Sequence, residues 1–171
     1  MISIRQERPE DVSFIRTVNE QAFGCPEEAQ VVDALREACD DLLSLVAERD
    51  GQIVGHILFS PATVEAEQGV VHGMGLAPMA VLPGYQRQGI GSSLIRHGLA
   101  LLRERGCPFV IVLGHPEYYP RFGFQLASKY GIISQWASIP DEAFMILVLD
   151  GSAMAGVSGV ARYRDEFDDA M

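Results

Sequence analysis

Met79-Ala80-Val81-Leu82-Pro83-Gly84-Tyr85-Gln86-Arg87-Gln88-Gly89-Ile90-Gly91-Ser92 reads as a strand, a glycine-bearing turn and the opening of a helix. The helix is the clearest in the chain. Leu94, Ile95, Leu99, Leu101 and Leu102 follow Ser92, Arg103 and Arg105 occupy the last turn, and Gly106 stands as the cap. Amide groups at a helix N-terminus, aided by the helix dipole, bind phosphate without lysine. Gly89 and Gly91 remove side chains that would keep a pyrophosphate from the backbone. A P-loop needs GxxxxGK[ST], which is absent. A dinucleotide fingerprint needs a third glycine where Leu94 stands. The pattern left is Q/R-x-x-G-x-G/A, filled by Gln86, Gly89 and Gly91.

The rest of the chain gives this turn a mixed α/β setting. Ile2 to Gln6 alternates like a strand, and Pro9-Glu10-Asp11 marks a helix start running to Gly24. Pro26-Glu27-Glu28 begins a second helix. Leu43 to Glu48 and Gln52 to Phe59 are strands joined by Asp50-Gly51, a hairpin signal. Gly69 to Leu82 is extended, with its glycines and Pro78 suggesting a bulge or an exposed edge. Phe109 to Leu113 is a buried strand, and Phe144 to Leu149 another. The expected order is β-α-α-β-β-β-α-β-α-β-β. Residues 1–150 form one domain, and 151–171 a small-residue, acidic C-terminal extension with a mobile end.

The 171 residues include 13 basic and 23 acidic side chains, a formal charge of −10, which argues against nucleic acid or anionic membrane as partner. Apolar residues at 48% and charged ones at 21% exclude a disordered chain. No apolar run approaches the roughly 20 residues of a membrane span, and the charged N-terminus shows no signal-peptide core. Cys25, Cys39 and Cys107 read as reduced thiols, so the expected location is cytoplasmic. Four scattered histidines, with no HxH or HxxxH pair, suggest no metal site.

A second motif, Gly114-His115-Pro116-Glu117-Tyr118-Tyr119-Pro120-Arg121-Phe122-Gly123-Phe124, follows the apolar strand. The two motifs resemble the coenzyme A pyrophosphate loop and the Y-x-x-x-G-F signature of the GNAT superfamily of N-acetyltransferases, most closely its YhbS-like branch. The resemblance covers about residues 2–150. It implies the GNAT fold, a mixed and mostly antiparallel central sheet flanked by helices, with the fourth strand splaying from the fifth.

The implied reaction is transfer of acetyl from acetyl-CoA to a primary amine of a small molecule, peptide or protein. By motif position, Met79, Ala80 and Val81 present backbone groups to pantetheine and the thioester carbonyl. Gln86, Arg87, Gln88, Gly89, Ile90, Gly91 and Ser92 hold the pyrophosphate. Tyr119 stands where the acid protonating the departing thiolate is expected, with an ordinary pKa of about 10. Tyr118 reads as packing. Many family members carry a carboxylate four residues before the position of Met79; here that position is Gly75. Glu27, Glu28, His72, His115 or water remain as the base, none assigned. The rival reading is a non-catalytic acyl-CoA-binding regulatory module. The resemblance allows a homodimer, which nothing in the sequence demonstrates.

Overall fold

The computed structural model describes residues 1–170. Its strands are β1 (Ile2–Gln6), β2 (Leu43–Arg49), β3 (Gln52–Ala66), β4 (Gly69–Val81), β5 (Phe109–Leu113), β6 (Gln125–Leu126), β7 (Ile132–Ser134), β8 (Phe144–Val148) and β9 (Gly159–Arg162). The α-helices are α1 (Val12–Phe23), α2 (Glu27–Ala38) and α3 (Ile90–Glu104). Along hydrogen-bonded neighbours the strand order is β1-β2-β3-β4-β5-β8-β6, with β9 joining β3 and β7. The pairs β1–β2, β2–β3, β3–β9, β5–β8 and β6–β8 are antiparallel; β4–β5 and β7–β9 are parallel. This is the mixed, mostly antiparallel α/β architecture expected.

Contacts group the chain into two compact units, with β3 and β4 passing through both. The first comprises residues 1–59, 77–100 and the chain from Asp165. In it, β2 and β3 form the expected hairpin, with Asp50 at φ 51° and Gly51 at φ 78°, both left-handed as a two-residue hairpin turn requires. Arg5 ties β1 to Asp11 (2.7 Å) before α1 and to Glu48 (2.9 Å) of β2. Two glycines seat α3 on β3. A Cβ on Gly55 would lie 3.1 Å from Ile90 and 3.2 Å from Leu94, and a Cβ on Gly98 would lie 2.3 Å from the Phe59 ring. The strand yields at one end of the contact and the helix at the other.

Across α1, α2, β2 and β3 runs a polar chain, buried at Asn19 and His56 and partly exposed at Ser44, Glu7 and Arg36. Asn19 Nδ2 donates to His56 Nδ1 at 3.1 Å, which leaves the ring proton on Nε2, facing Ser44 Oγ at 2.9 Å. Ser44 donates in turn to Glu7 Oε1 at 2.7 Å, and Arg36 pairs with the same carboxylate. Burial pushes the His56 imidazole down to about 4, so it stays neutral.

The second unit holds residues 60–76 and 101–164. Here β4 pairs with β5 over three residues only, Met74↔Val110 to Leu76↔Val112. β4 is a continuous strand, paired at 74–76 rather than an exposed edge there. Pro78 falls beyond those paired residues, where its missing N–H costs no β5 bond. The helix expected after β5 is replaced by 3-10 turns at Tyr119–Phe122 and Ala127–Tyr130. Pro116 and Pro120, between Gly114 and Gly123, prevent a longer helix.

The expected order ends in two strands, of which only Phe144 to Leu149 is placed; beyond it β9 pairs with β3 (Thr63↔Arg162 to Glu65↔Val160) and with β7. Gly159, at φ 141°, is required there, because a Cβ would meet the Glu65 carbonyl oxygen at 1.9 Å. The end expected to be mobile forms a 3-10 segment, Asp165–Ala170, with Phe167 buried. Of the expected extension, Met171 lies outside the described residues.

Candidate active site

In the first unit, the candidate phosphate turn links the end of β4 to α3. Leu82 N–H donates to the Val54 carbonyl at 2.9 Å, fixing where β4 ends beside β3. A 3-10 turn, Pro83–Tyr85, follows. Gln86 folds back, its Nε2 donating to the Val81 carbonyl at 3.0 Å. Arg87 then adopts φ 63° and Gly89 φ 83°, both left-handed. For arginine this conformation is uncommon and costs about 1 kcal/mol or more. Around Gly89 a Cβ would meet nothing within 4 Å, so its role is conformational and its face is open. Such turned backbone, followed by a helix N-terminus, forms an anion-binding concavity.

Gln86, Arg87, Gln88 and Gly89 are exposed, whereas Ile90 is buried and its side chain serves the core. Only its backbone can face a ligand. Gly91 and Ser92, in the first turn of α3, are partly exposed. Met79 and Val81 are also partly exposed, with Ala80 buried between them, as alternation along a strand requires.

Two residues that sequence reasoning missed brace this turn. Arg49, at the end of β2, donates to Gln88 Oε1 at 2.9 Å and lies over the Tyr85 ring, 5.9 Å from its centroid. Tyr85 OH reaches Gln52 Oε1 at 3.4 Å. Nothing in their spacing from Gln86 signals either partnership.

In the second unit, Tyr119 is 7% exposed and opens the 3-10 turn after β5. Its ring meets Tyr118 at 5.2 Å and Phe124 at 5.7 Å, both edge-on. Gly114 makes room for it, since a Cβ there would lie 2.2 Å from the ring. Burial pushes the phenol up to about 12, so Tyr119 is a protonated acid at neutral pH. Tyr118 packs against Phe122 and under Arg121.

The Gly75 position has a physical explanation. A Cβ on Gly75 would fall 2.5 Å from the ring of Tyr163, the residue after β9. Tyr163 is 4% exposed, stacks on Trp136, and places its hydroxyl 3.0 Å from the Leu76 carbonyl and 3.2 Å from the Ile111 carbonyl. Burial raises its phenol far above the ordinary value, so it is no base. A carboxylate at position 75 would displace that ring. Of the four side-chain base candidates, His72, His115 and Glu27 are exposed, and Glu28 lies 3.7 Å from the Cys25 sulfur. Among the described residues no hydrogen bond links any of the four to Tyr119 through its side chain.

The model of the acetyltransferase (GNAT) domain family matches residues 3–127. The chain belongs to the GNAT family. Among curated relatives, the uncharacterized N-acetyltransferase YhbS of Escherichia coli K12 is 37% identical over 166 residues, 96% of this chain and 98% of the relative. Its crystal structure in complex with CoA superposes with a TM-score of 0.90 at 35% identity, covering 98% of this chain and 92% of that one. A GNAT acetyltransferase of Brucella melitensis, crystallised with acetyl-CoA, gives a TM-score of 0.80 at 39% identity, covering 98% and 99%.

Proposed function

We propose that this GNAT protein transfers acetyl from acetyl-CoA to a primary amine of a small molecule, peptide or protein. The observation that carries this reading is the turn from Gln86 to Ser92, with left-handed Arg87 and Gly89 leading into α3. The turn fits a pyrophosphate, because its exposed backbone bends without side-chain bulk at Gly89. CoA and acetyl-CoA occupy the relatives from E. coli and Brucella melitensis, which supports the same donor here.

In this reading the backbone of Met79, Ala80 and Val81 receives the pantetheine arm. One N–H of that stretch is aimed at the oxygen that gains charge when the amine attacks the thioester carbon. A fixed dipole so placed lowers the barrier, since it needs no reorganisation as charge develops. The new C–N bond forms and the C–S bond breaks. The sulfur leaves as thiolate and takes the proton of Tyr119, which solvent then replaces. The attacking nitrogen gives its proton to water or to a side chain outside position 75. Acidic side chains outnumber basic ones by ten, favouring a cationic acceptor through long-range attraction. The reaction is proposed to run in the cytoplasm, where Cys25, Cys39 and Cys107 stay as thiols.

The test measures melting with saturating acetyl-CoA, then thiol release across amines, amino acids and peptides. Ligand at about 100 times Kd adds about 2.7 kcal/mol, a rise of roughly 5–11 °C for this chain length. An unchanged melting point would remove the acetyl-CoA reading. Stabilisation without thiol release for any amine would favour a binding module.

A further inference from the structure

We propose that Tyr163 is a positioning residue for catalysis, its hydroxyl clamping β4 to β5 at the point where their pairing ends. The proposal rests on the acetyltransferase reading above, because it concerns the strand expected to hold the donor. Leu76 is the last β4 residue paired with β5, opposite Val112, and Gly75 pairs with Ile111. The Tyr163 hydroxyl lies within hydrogen-bond reach of both the Leu76 and the Ile111 carbonyls, one from each strand. One phenolic proton shared between two carbonyls ties the strands together where their own ladder stops.

The clamp is built to stay put. The ring is stacked on Trp136 with centroids 5.7 Å apart, and β9 holds the preceding residues against β3 and β7. Gly75 gives the ring its place. A phenol buried this deeply keeps its proton, so the hydrogen bond persists through neutral pH. Met79, Ala80 and Val81 follow Leu76 by three to five residues along the same strand. They continue the chain directly from the strand whose Leu76 carbonyl Tyr163 holds. Displacements of about 1 Å in groups that orient a reacting centre can cost about 10²-fold in rate.

Tyr163→Phe keeps the ring in its slot and removes only the hydroxyl. Gly75→Ala pushes the ring away by sterics and serves as an independent second variant. Both are compared with wild type well below their melting temperatures, by thiol-release kinetics and by backbone hydrogen exchange of the ligand-free proteins. The expected result for each is a kcat lowered about tenfold or more, with KM for acetyl-CoA within about threefold. Exchange should quicken at residues 74–81 and 109–113 and stay unchanged in β1 and β2. A Tyr163→Phe protein with a lower melting temperature but wild-type kcat would overturn the proposal, as would unchanged exchange at residues 74–81. Should the wild type release no thiol with any amine, the acetyltransferase reading fails by itself. The exchange measurement still decides whether Tyr163 clamps the strands.

Discussion

The guanidinium of Arg49 donates to the side-chain oxygen of Gln88 across 2.9 Å, joining the end of β2 to the turn before α3. Its position over Tyr85 places a positive charge beside an exposed stretch that has only Arg87 as its own cation. Replacing Arg49 by Met should raise Kd for acetyl-CoA by about two- to fivefold, as an exposed charge worth about 0.5–1 kcal/mol implies. The dependence of Kd on salt should flatten as well. Titration at two ionic strengths checks both. A Kd unaltered at either strength would reduce Arg49 to a brace.

Gly91→Glu brings a carboxylate to the first turn of α3, where an anionic ligand is expected. Acetyl-CoA binding should be lost while circular dichroism stays that of a folded protein. Retained affinity would mean that the pyrophosphate lies elsewhere.

Tyr119→Phe removes only the phenolic proton. The kcat should fall by about 10²–10⁴-fold, with acetyl-CoA affinity unchanged. Because burial holds the Tyr119 phenol near 12, the deficit should persist to about pH 11 and narrow only above it, later than an ordinary tyrosine would allow. The raised folded value also has a stability consequence. The stability associated with the neutral ring is complete below pH 10 and is lost as pH rises from about 10 through 12. A pH–rate series for wild type and variant tests the first point, and alkaline melting curves the second.

His56 gives the opposite sign. Its folded value of about 4 lies below the unfolded value near 6.5, so the unfolded chain binds more protons between them. Stability should be complete above about pH 6.5 and fall as pH drops towards 4, by up to about 3 kcal/mol. Glu7, held below the usual carboxylate range by Arg36 and Ser44, adds to the loss at still lower pH. Urea unfolding at pH 7.5 and 5 should show this slope in wild type and not in His56→Gln. An equal slope in both would place the titrating group elsewhere.

Gly98→Ala tests how α3 sits on β3. The added methyl would meet the Phe59 ring, and overpacking of this kind costs about 1–3 kcal/mol. Melting should fall by roughly 2–12 °C, and Gly98→Ala with Phe59→Leu should recover part of it. No recovery in the double variant would show that the contact is not the cause.

Local signals made much of this molecule legible. The Asp50-Gly51 hairpin, the apolar spacing of α3 and the glycine-bearing turn are each encoded within a few neighbouring residues, and each is present. Features assembled across the chain were not. β9 follows a stretch of glycines and small residues, and its pairing of Ala161 with Val64 has no local signature. Glu7, Ser44, His56 and Asn19 are single polar residues on four separate segments, unremarkable until folding brings them into one chain of hydrogen bonds. The helix expected after β5 does not form, because Pro116 and Pro120 limit that stretch to short 3-10 turns.

The clamp on Leu76 also sets a schedule for the newborn chain. Tyr163 is made 87 residues after its partner, an interval of about 4–17 s at ordinary rates of translation. Throughout it, β4 and β5 can meet, but the ribosome has yet to deliver the hydroxyl that joins them. On the proposal made for Tyr163, a nascent chain halted before that residue would already carry the turn proposed to hold pyrophosphate and the tyrosine proposed as acid, and would still be a poor catalyst.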